Sequence, residues 1–496
     1  MMKKYFIAGL LLFFALGSTA QKSDTLCIVQ INDVYEISAL QNGKVGGLAR
    51  IATYIKSCQS KYPTYSVLAG DFLSPSVMGT AVVDDERLNG KQMVNGLNAL
   101  GIDFVTFGNH EFDVGETALQ KRINESNFEW ISANVFRKEG TPFYKELKGE
   151  KKYFPRQVEI SSTNDQFKVI LFGLTLPSNT PPYSRFISYD SALQNVSFPK
   201  NSKRAMVIGL THLSAKEDLD LLEKYPSIQM ALGGHEHDNM FLTSSHQTHV
   251  AKADANGKSL YRHLIYRDRS KKLVVKSELI KIDERILPDS TVAEVVRGWE
   301  ERVYRAFRKI GLEPTRGICK VTDTLSGLEA SIRYEQNSLG KAINLALLDD
   351  EKADASFINA GAIRIDDNVT GPITELDVIR IMPFGNKIVE VEMRGELLDK
   401  MIRSNDSRKG LGGYLQLGRT ISRNGDQVLI NGVPIDLVKL YRIRTIEFLI
   451  SGKEMRLEYF NGQNPLVVRV TPLLNEQNEP KDLRMAFIST LKKLYE

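Results

Sequence analysis

Residues 102–115 read I-D-F-V-T-F-G-N-H-E-F-D-V-G. The run 102–107 has the length and the β-branched and aromatic content of a buried strand, and it stops at Gly108. Asn109, His110, Glu111 and Asp113 therefore fall on the loop after a strand. In α/β sheets that is the edge where ligands bind, because loops converge there without disturbing the core. An Asn amide oxygen can complete a metal shell begun by carboxylates and imidazoles, and His110 can titrate near neutral pH. Asp113, three positions on, is spaced to fix the tautomer of that histidine.

Around this stretch, residues 25–279 repeat an apolar strand, a polar loop and an amphipathic helix. Strands are expected at 26–31, 66–69, 130–135, 167–174, 204–210 and 229–232, and helices at 49–62, 92–100, 116–125 and 216–224. Residues 250–265 and 273–282 read as closing hairpins. Such alternation implies a layered α/β domain. A charged run at 289–310 with apolar positions at helical spacing links it to an α+β unit. That unit has a helix at 338–348, strands at 355–359 and 387–393, and a terminal helix at 483–495. The expected division is a signal peptide at 1–20, a first domain at 21–288, a linker helix at 289–315 and a second domain at 316–496.

At 496 residues the chain calls for two or three domains, and 42% hydrophobic with 25% charged content is that of a soluble globular protein. A formal net charge of +5 gives no argument for a nucleic-acid polymer as partner. Lys3 and Lys4 precede an apolar run at 5–16 and the small residues Gly17-Ser18-Thr19-Ala20, the pattern of a cleaved secretory signal. The run is shorter than the ~20 residues that span a bilayer, so the expectation is a periplasmic or secreted protein without a stable membrane anchor. The oligomeric state is left open. Cys27, Cys58 and Cys319 are too few for a disulfide-built scaffold, and a Cys27–Cys58 pair stays open.

Five strand ends carry metal-ligand types: Asp33, Asp71, Asn109 with His110, His212, and His235 with His237. Four of the seven histidines of the chain stand there, in loops that are a small part of it. The His-x-His follows two glycines that allow close backbone approach, and its imidazoles can face two adjacent metals. Asp71 can bridge two cations through its two oxygens. Mixed carboxylate, amide and imidazole ligands suit Zn, Mn, Co or Fe, without choosing among them.

In order, N-D-V-Y (32–35), G-D (70–71), G-N-H-E-F-D (108–113), T-H (211–212) and G-H-E-H (234–237) resemble the motifs of the calcineurin-like metallophosphoesterases, and more narrowly the secreted 5′-nucleotidase family. The resemblance implies a four-layer α/β/β/α sandwich followed by a C-terminal α+β substrate-binding domain. It implies two divalent metal ions, one held by Asp33, Asp71 and His237 and the other by Asp71, Asn109, His212 and His235. His110 would stabilise the transition state or protonate the leaving oxygen, oriented by Asp113. Tyr35 departs from the pattern, standing where the family has a histidine ligand. It either packs and hydrogen-bonds or ligates the first metal.

The second half also resembles this family, at 333–340, at Asn359 to Arg364 (N-A-G-A-I-R), at 382–386 (M-P-F-G-N) and at 413–416 (G-Y-L-Q). The resemblance implies nucleotide binding, with Asn359 and Arg364 on the polar side and Tyr414 with Phe448 stacking the base. Glu454 stands near the place of a ribose-binding aspartate, in a loop poorer in glycine than the family's. The expected activity is hydrolysis of nucleoside 5′-monophosphates. The alternatives are a UDP-sugar, a 2′,3′-cyclic nucleotide or another phosphoester as substrate, or a nucleotide-binding protein with weakened or lost catalysis.

Overall fold

The computed structural model describes residues 24–496 except 163–164, 179, 200–203 and 349–351, so the signal-peptide segment lies outside the described residues. The first half is built on two six-stranded sheets. In spatial order the first runs Leu273–Lys281, Ser259–Arg267, Leu26–Ile31, Thr64–Ala69, Phe104–Thr106, Glu129–Trp130. The second runs Gln157–Ser161, Lys168–Thr175, Ala205–His212, Met230–Gly233, His249–Lys252, Met240–Thr243.

Strand alternation decides the layering. Leu26 and Ile28 share the core between the sheets with Val67, Val169, Leu171 and Ile208. Cys27, Val29 and Ile31 belong instead to the core under the helices Leu48–Gln59 and Lys91–Leu100. On the outer face of the second sheet, Ile170, Phe172 and Val207 pack with Leu221 and Leu222 of the helix Ala215–Lys224. The order of layers is helix, sheet, sheet, helix.

The central strands of each sheet are parallel, so their C-terminal ends share one edge. Asp33, Asp71, Asn109, His212 and His235 all lie at or just beyond those ends.

Two expected elements are different. Residues 130–135 are not one strand but the ends of Glu129–Trp130 and Val135–Arg137. Between them the chain crosses the sandwich: the Ile131 N–H donates to Val105 in the first sheet and the Ala133 N–H to Gly173 in the second, both at 2.8 Å. Residues 250–265 are likewise no hairpin, since His249–Lys252 lies in the second sheet and Ser259–Arg267 in the first. The turn at Asn256 and Gly257, with φ of 59° and 62°, switches sheets between them.

The helix Ser290–Lys309 is more than a spacer. Val292, Val296, Trp299, Val303 and Phe307 are buried, and the Trp299 indole N–H donates to Asn95 at 2.9 Å. The second half centres on a five-stranded sheet ordered Leu415–Leu417, Ala355–Asn359, Leu440–Ile446, Ile388–Arg394, Val467–Pro472, with the helices Ser338–Leu347 and Leu483–Tyr495 packed on each other. Cys27, Cys58 and Cys319 are free thiols. No helix of the described residues is long and apolar enough to cross a membrane.

His263 is fully buried in the first sheet, facing Gln30 at 3.0 Å and Ser277 at 2.8 Å. Burial pushes its pKa down from 6.5 to about 3. The unfolded chain therefore binds a proton that the folded one refuses, and stability falls as pH drops below about 6.5. Urea unfolding at pH 7 and pH 5 should show a smaller loss for His263→Gln than for wild type; an identical loss would contradict this.

Candidate metal centre

The loops that carry the centre are held by a buried carboxylate. Glu111, fully buried, accepts the backbone N–H groups of Asp71 (2.8 Å) and Gly108 (2.6 Å) on Oε2, and those of Phe72 (2.8 Å) and Leu73 (3.0 Å) on Oε1. The ends of two neighbouring strands are thereby locked together. Burial and the nearby Asp71 push the Glu111 carboxyl up to about 7, against the four N–H groups, which favour its charged form.

Glycine is required where these loops touch. A Cβ on Gly108 would overlap Asp71 Oδ1, and one on Gly234 would lie 2.9 Å from both Asp33 Oδ2 and His212 Nδ1.

Within this frame the side chains converge. Ligand atoms of Asp33, Asp71 and His212 all lie within 4.8 Å of one another. Asp71 Oδ1 accepts the His110 N–H at 2.8 Å, which leaves Oδ2 for the centre. That oxygen is 3.3 Å from His212 Nε2 on one side and 3.0 Å from the Tyr35 hydroxyl on the other. His212 Nδ1 faces the carbonyl of Ala69 at 2.8 Å, so Nε2 is the nitrogen left to bind, 3.2 Å from Asn109 Oδ1. His237 Nε2 is 3.6 Å from Asp33 Oδ1 and 3.0 Å from the Tyr35 hydroxyl. The His235 ring lies against that of His212, centroids 5.5 Å apart, and its backbone N–H donates to Asp33 at 3.0 Å.

Four of these residues, Asp33, Asp71, His235 and His237, have φ between 52° and 94°. Left-handed backbone is uncommon outside glycine and is retained where the surroundings over-determine it, characteristically at functional sites.

The charges make conflicting demands. Burial pushes the Asp33 carboxyl up, although His212 and His237 pull it down. Burial would lower His212, but Asp71 outweighs it and raises the imidazole to about 10. Burial and the neighbouring His212 push His235 down to about 3. Two buried carboxylates thus share one place with imidazoles that cannot all be protonated, a donor set that a divalent cation satisfies. Buried Lys252 stands behind it, its ammonium 2.8 Å from the Gly234 carbonyl, 2.5 Å from Glu236 and 2.9 Å from Asp218.

His110 stands beside this group. Its Nδ1 is 2.7 Å from Asp113, so Nε2 is turned to the cleft. Burial alone would lower its pKa; Asp113 and Asp71 outweigh burial and raise it.

The opposite wall of the cleft, a cavity of about 920 Å³, comes from the second half. Arg364 Nη2 reaches to 3.4 Å from His110 Nε2. Asn359 donates to Glu454 at 2.6 Å, and its own Oδ1 has no hydrogen-bond partner among the described residues. Phe448, 38% exposed, also lines this space.

Tyr414 does not. It is 4% exposed and its hydroxyl meets Gln336 at 3.2 Å; the rings open to the cleft beside Phe448 are Phe384, at 44% exposure, and Tyr334, at 53%. The reading of Tyr414 as a stacking ring is therefore corrected: strand Leu415–Leu417 follows at once and draws Tyr414 into the core. Phe384 had a signal in the sequence, an aromatic between proline and glycine in a loop. Arg333, which lines the same cleft and pairs with Glu329 at 2.8 Å, opens the family-like stretch 333–340, where nothing but its charge pointed to the phosphate.

Comparison with known proteins agrees with this architecture. Residues 27–239 match the calcineurin-like phosphoesterase family, and residues 317–461 the 5′-nucleotidase C-terminal domain. The chain is 24% identical over 437 residues to a protein named UshA from Salmonella pullorum, covering 77% of each. It is 26% identical over 492 residues to the 5′-nucleotidase of Bos taurus, covering 86% of this chain and 82% of that one. The 5′-nucleotidase precursor of Thermus thermophilus has the same fold, with a TM-score of 0.70 at 20% identity over 95% of this chain and 97% of the other.

Replacing Glu111 by Gln leaves buried N–H groups without an acceptor, at about 1–3 kcal/mol each. Urea unfolding of Glu111→Gln should show a loss of about 2–4 kcal/mol; a loss below about 0.5 kcal/mol would show that the clamp is not needed.

Proposed function

Because the chain belongs to the calcineurin-like phosphoesterases that carry a 5′-nucleotidase C-terminal domain, we propose that this phosphoric ester hydrolase of the 5′-nucleotidase type acts on nucleoside 5′-monophosphates, outside the cytoplasm, with two divalent ions of Zn, Mn, Co or Fe. The observation that carries the reading is one cleft with the ligand cluster and His110 on one wall and Arg333, Arg364, Phe384 and Phe448 on the other. A phosphate next to the cluster meets guanidinium groups, and the far end of the same molecule meets aromatic rings, Phe384 and Phe448 among them. That is the chemistry of a nucleotide.

Asp33, Asp71 and His237 are assigned to one ion and Asp71, Asn109, His212 and His235 to the other. Ions bound there supply Lewis-acid polarisation of the phosphoryl group and an activated nucleophile. The protein's own groups do the rest. Arg364 and Arg333 bind and orient the phosphate, and the carboxylate of Asp113 holds His110 with Nε2 toward the leaving oxygen, where it stabilises charge or delivers a proton. Glu454 and Asn359, joined to each other, face the sugar. Residues 289–315 separate the two domains, and rotation about that segment admits substrate and frees product. Export is supported by the 1–20 pattern.

Base stacking contributes about 1–3 kcal/mol, roughly 5- to 150-fold. Phe384→Ala and Phe448→Ala should raise KM for AMP within that range and leave p-nitrophenyl phosphate hydrolysis nearly unchanged. Equal losses on both substrates would remove the rings from base recognition. Phosphate release from AMP, UDP-glucose, 2′,3′-cyclic AMP and a sugar phosphate, with each metal added separately, tests the substrate class. Turnover of the sugar phosphate alone would overturn the nucleotidase reading.

A further inference from the structure

The second half contributes more than a wall to the cleft. Asp366 Oδ2 lies 2.5 Å from Nδ1 of His237, across 129 positions of sequence. Its other oxygen accepts the backbone N–H of Glu329 at 2.8 Å, so the carboxylate is aimed from both ends. It stands on the loop that also brings Arg364 to His110, and its neighbour Asp367 meets Gln41 at 3.2 Å and Lys258 at 3.7 Å. These contacts with the first half are all polar, and a cavity of about 30 Å³, room for a water, lies beside them among Tyr35, His237, Glu329, Arg364 and Asp366.

A carboxylate on the outer nitrogen of a ligating histidine fixes its tautomer, turns its other nitrogen to the metal and raises its basicity. Here that carboxylate comes from the domain that binds the substrate. We propose that Asp366 is a positioning residue which couples occupation of the first metal position to docking of the second domain. The proposal rests on the metal reading above. By reciprocity, whatever tightens the metal through Asp366 must also favour the docked arrangement in the metal-bound protein. The coupling carries special weight in this chain because Tyr35 replaces the histidine expected at the same position, leaving His237 its sole imidazole among the assigned ligands.

Asp366→Asn suits the test. Asp366 has φ of 42°, which asparagine tolerates, and the amide can still accept from Glu329 while losing the anionic partner for His237. Titration of the full-length protein with Mn²⁺ should give two equivalents in wild type. In the variant one equivalent should keep its affinity and the other weaken about 10- to 100-fold. Small-angle X-ray scattering should show wild type becoming more compact on adding Mn²⁺ and the variant responding less. Unchanged affinities in Asp366→Asn, or wild-type scattering indifferent to Mn²⁺, would overturn the coupling. Absence of any Mn²⁺ binding to wild type would instead overturn the metal reading beneath it.

Discussion

One carboxylate sets the geometry of this protein's chemistry. Glu111 collects four backbone N–H groups from two strand ends, and so fixes where Asp71 and the 108–113 loop are held relative to each other. The clamp works because the two loops can approach until Gly108 touches Asp71, which no residue with a Cβ permits. From there the arrangement follows. Asp71 spends one oxygen on the backbone of His110 and keeps the other between His212 and the Tyr35–His237 side.

What the clamp assembles is not stable electrostatically by itself. Asp33 and Asp71 are both buried, and the imidazoles around them are driven in opposite directions, His212 upward and His235 downward. Left-handed backbone at four of these residues adds local strain. A divalent cation held by Asp33, Asp71 and His212 would relieve the first problem, and the sandwich, braced by Lys252 behind the 234–237 loop, bears the second. From the second half, one loop sets Arg364 against His110 and Asp366 against His237.

Much of this was legible in the residues. The succession of strands and helices over 25–279 marked a layered α/β domain, the motifs shared with the phosphoesterases implied its double sheet, and the strand-then-glycine punctuation at 70, 108 and 233–234 located the edge where ligand types gather. Less legible was anything set by contacts between distant segments. The Glu111 clamp depends on donors that carry no side-chain signature, since a backbone N–H is present at almost every residue. Asp366 belongs to no motif in the sequence, and its contact with His237 spans 129 positions. Crossing between sheets at 131–133 and at 256–257 was hidden by apolar patterns that continue through the turn, although Asn256-Gly257 is itself a turn signal. Tyr414 was misplaced because a tyrosine between glycine and a strand can face either way, and only packing decides.

In the proposed arrangement, distant side chains hold a pair of cations around Asp71. A crystal structure of the metal-loaded protein with anomalous scattering at the metal edge tests it most directly. Two peaks are expected roughly 3.5–4 Å apart, both in contact with Asp71, one beside Asp33 and His237 and the other beside Asn109, His212 and His235. A single peak, or two that share no ligand, would contradict it.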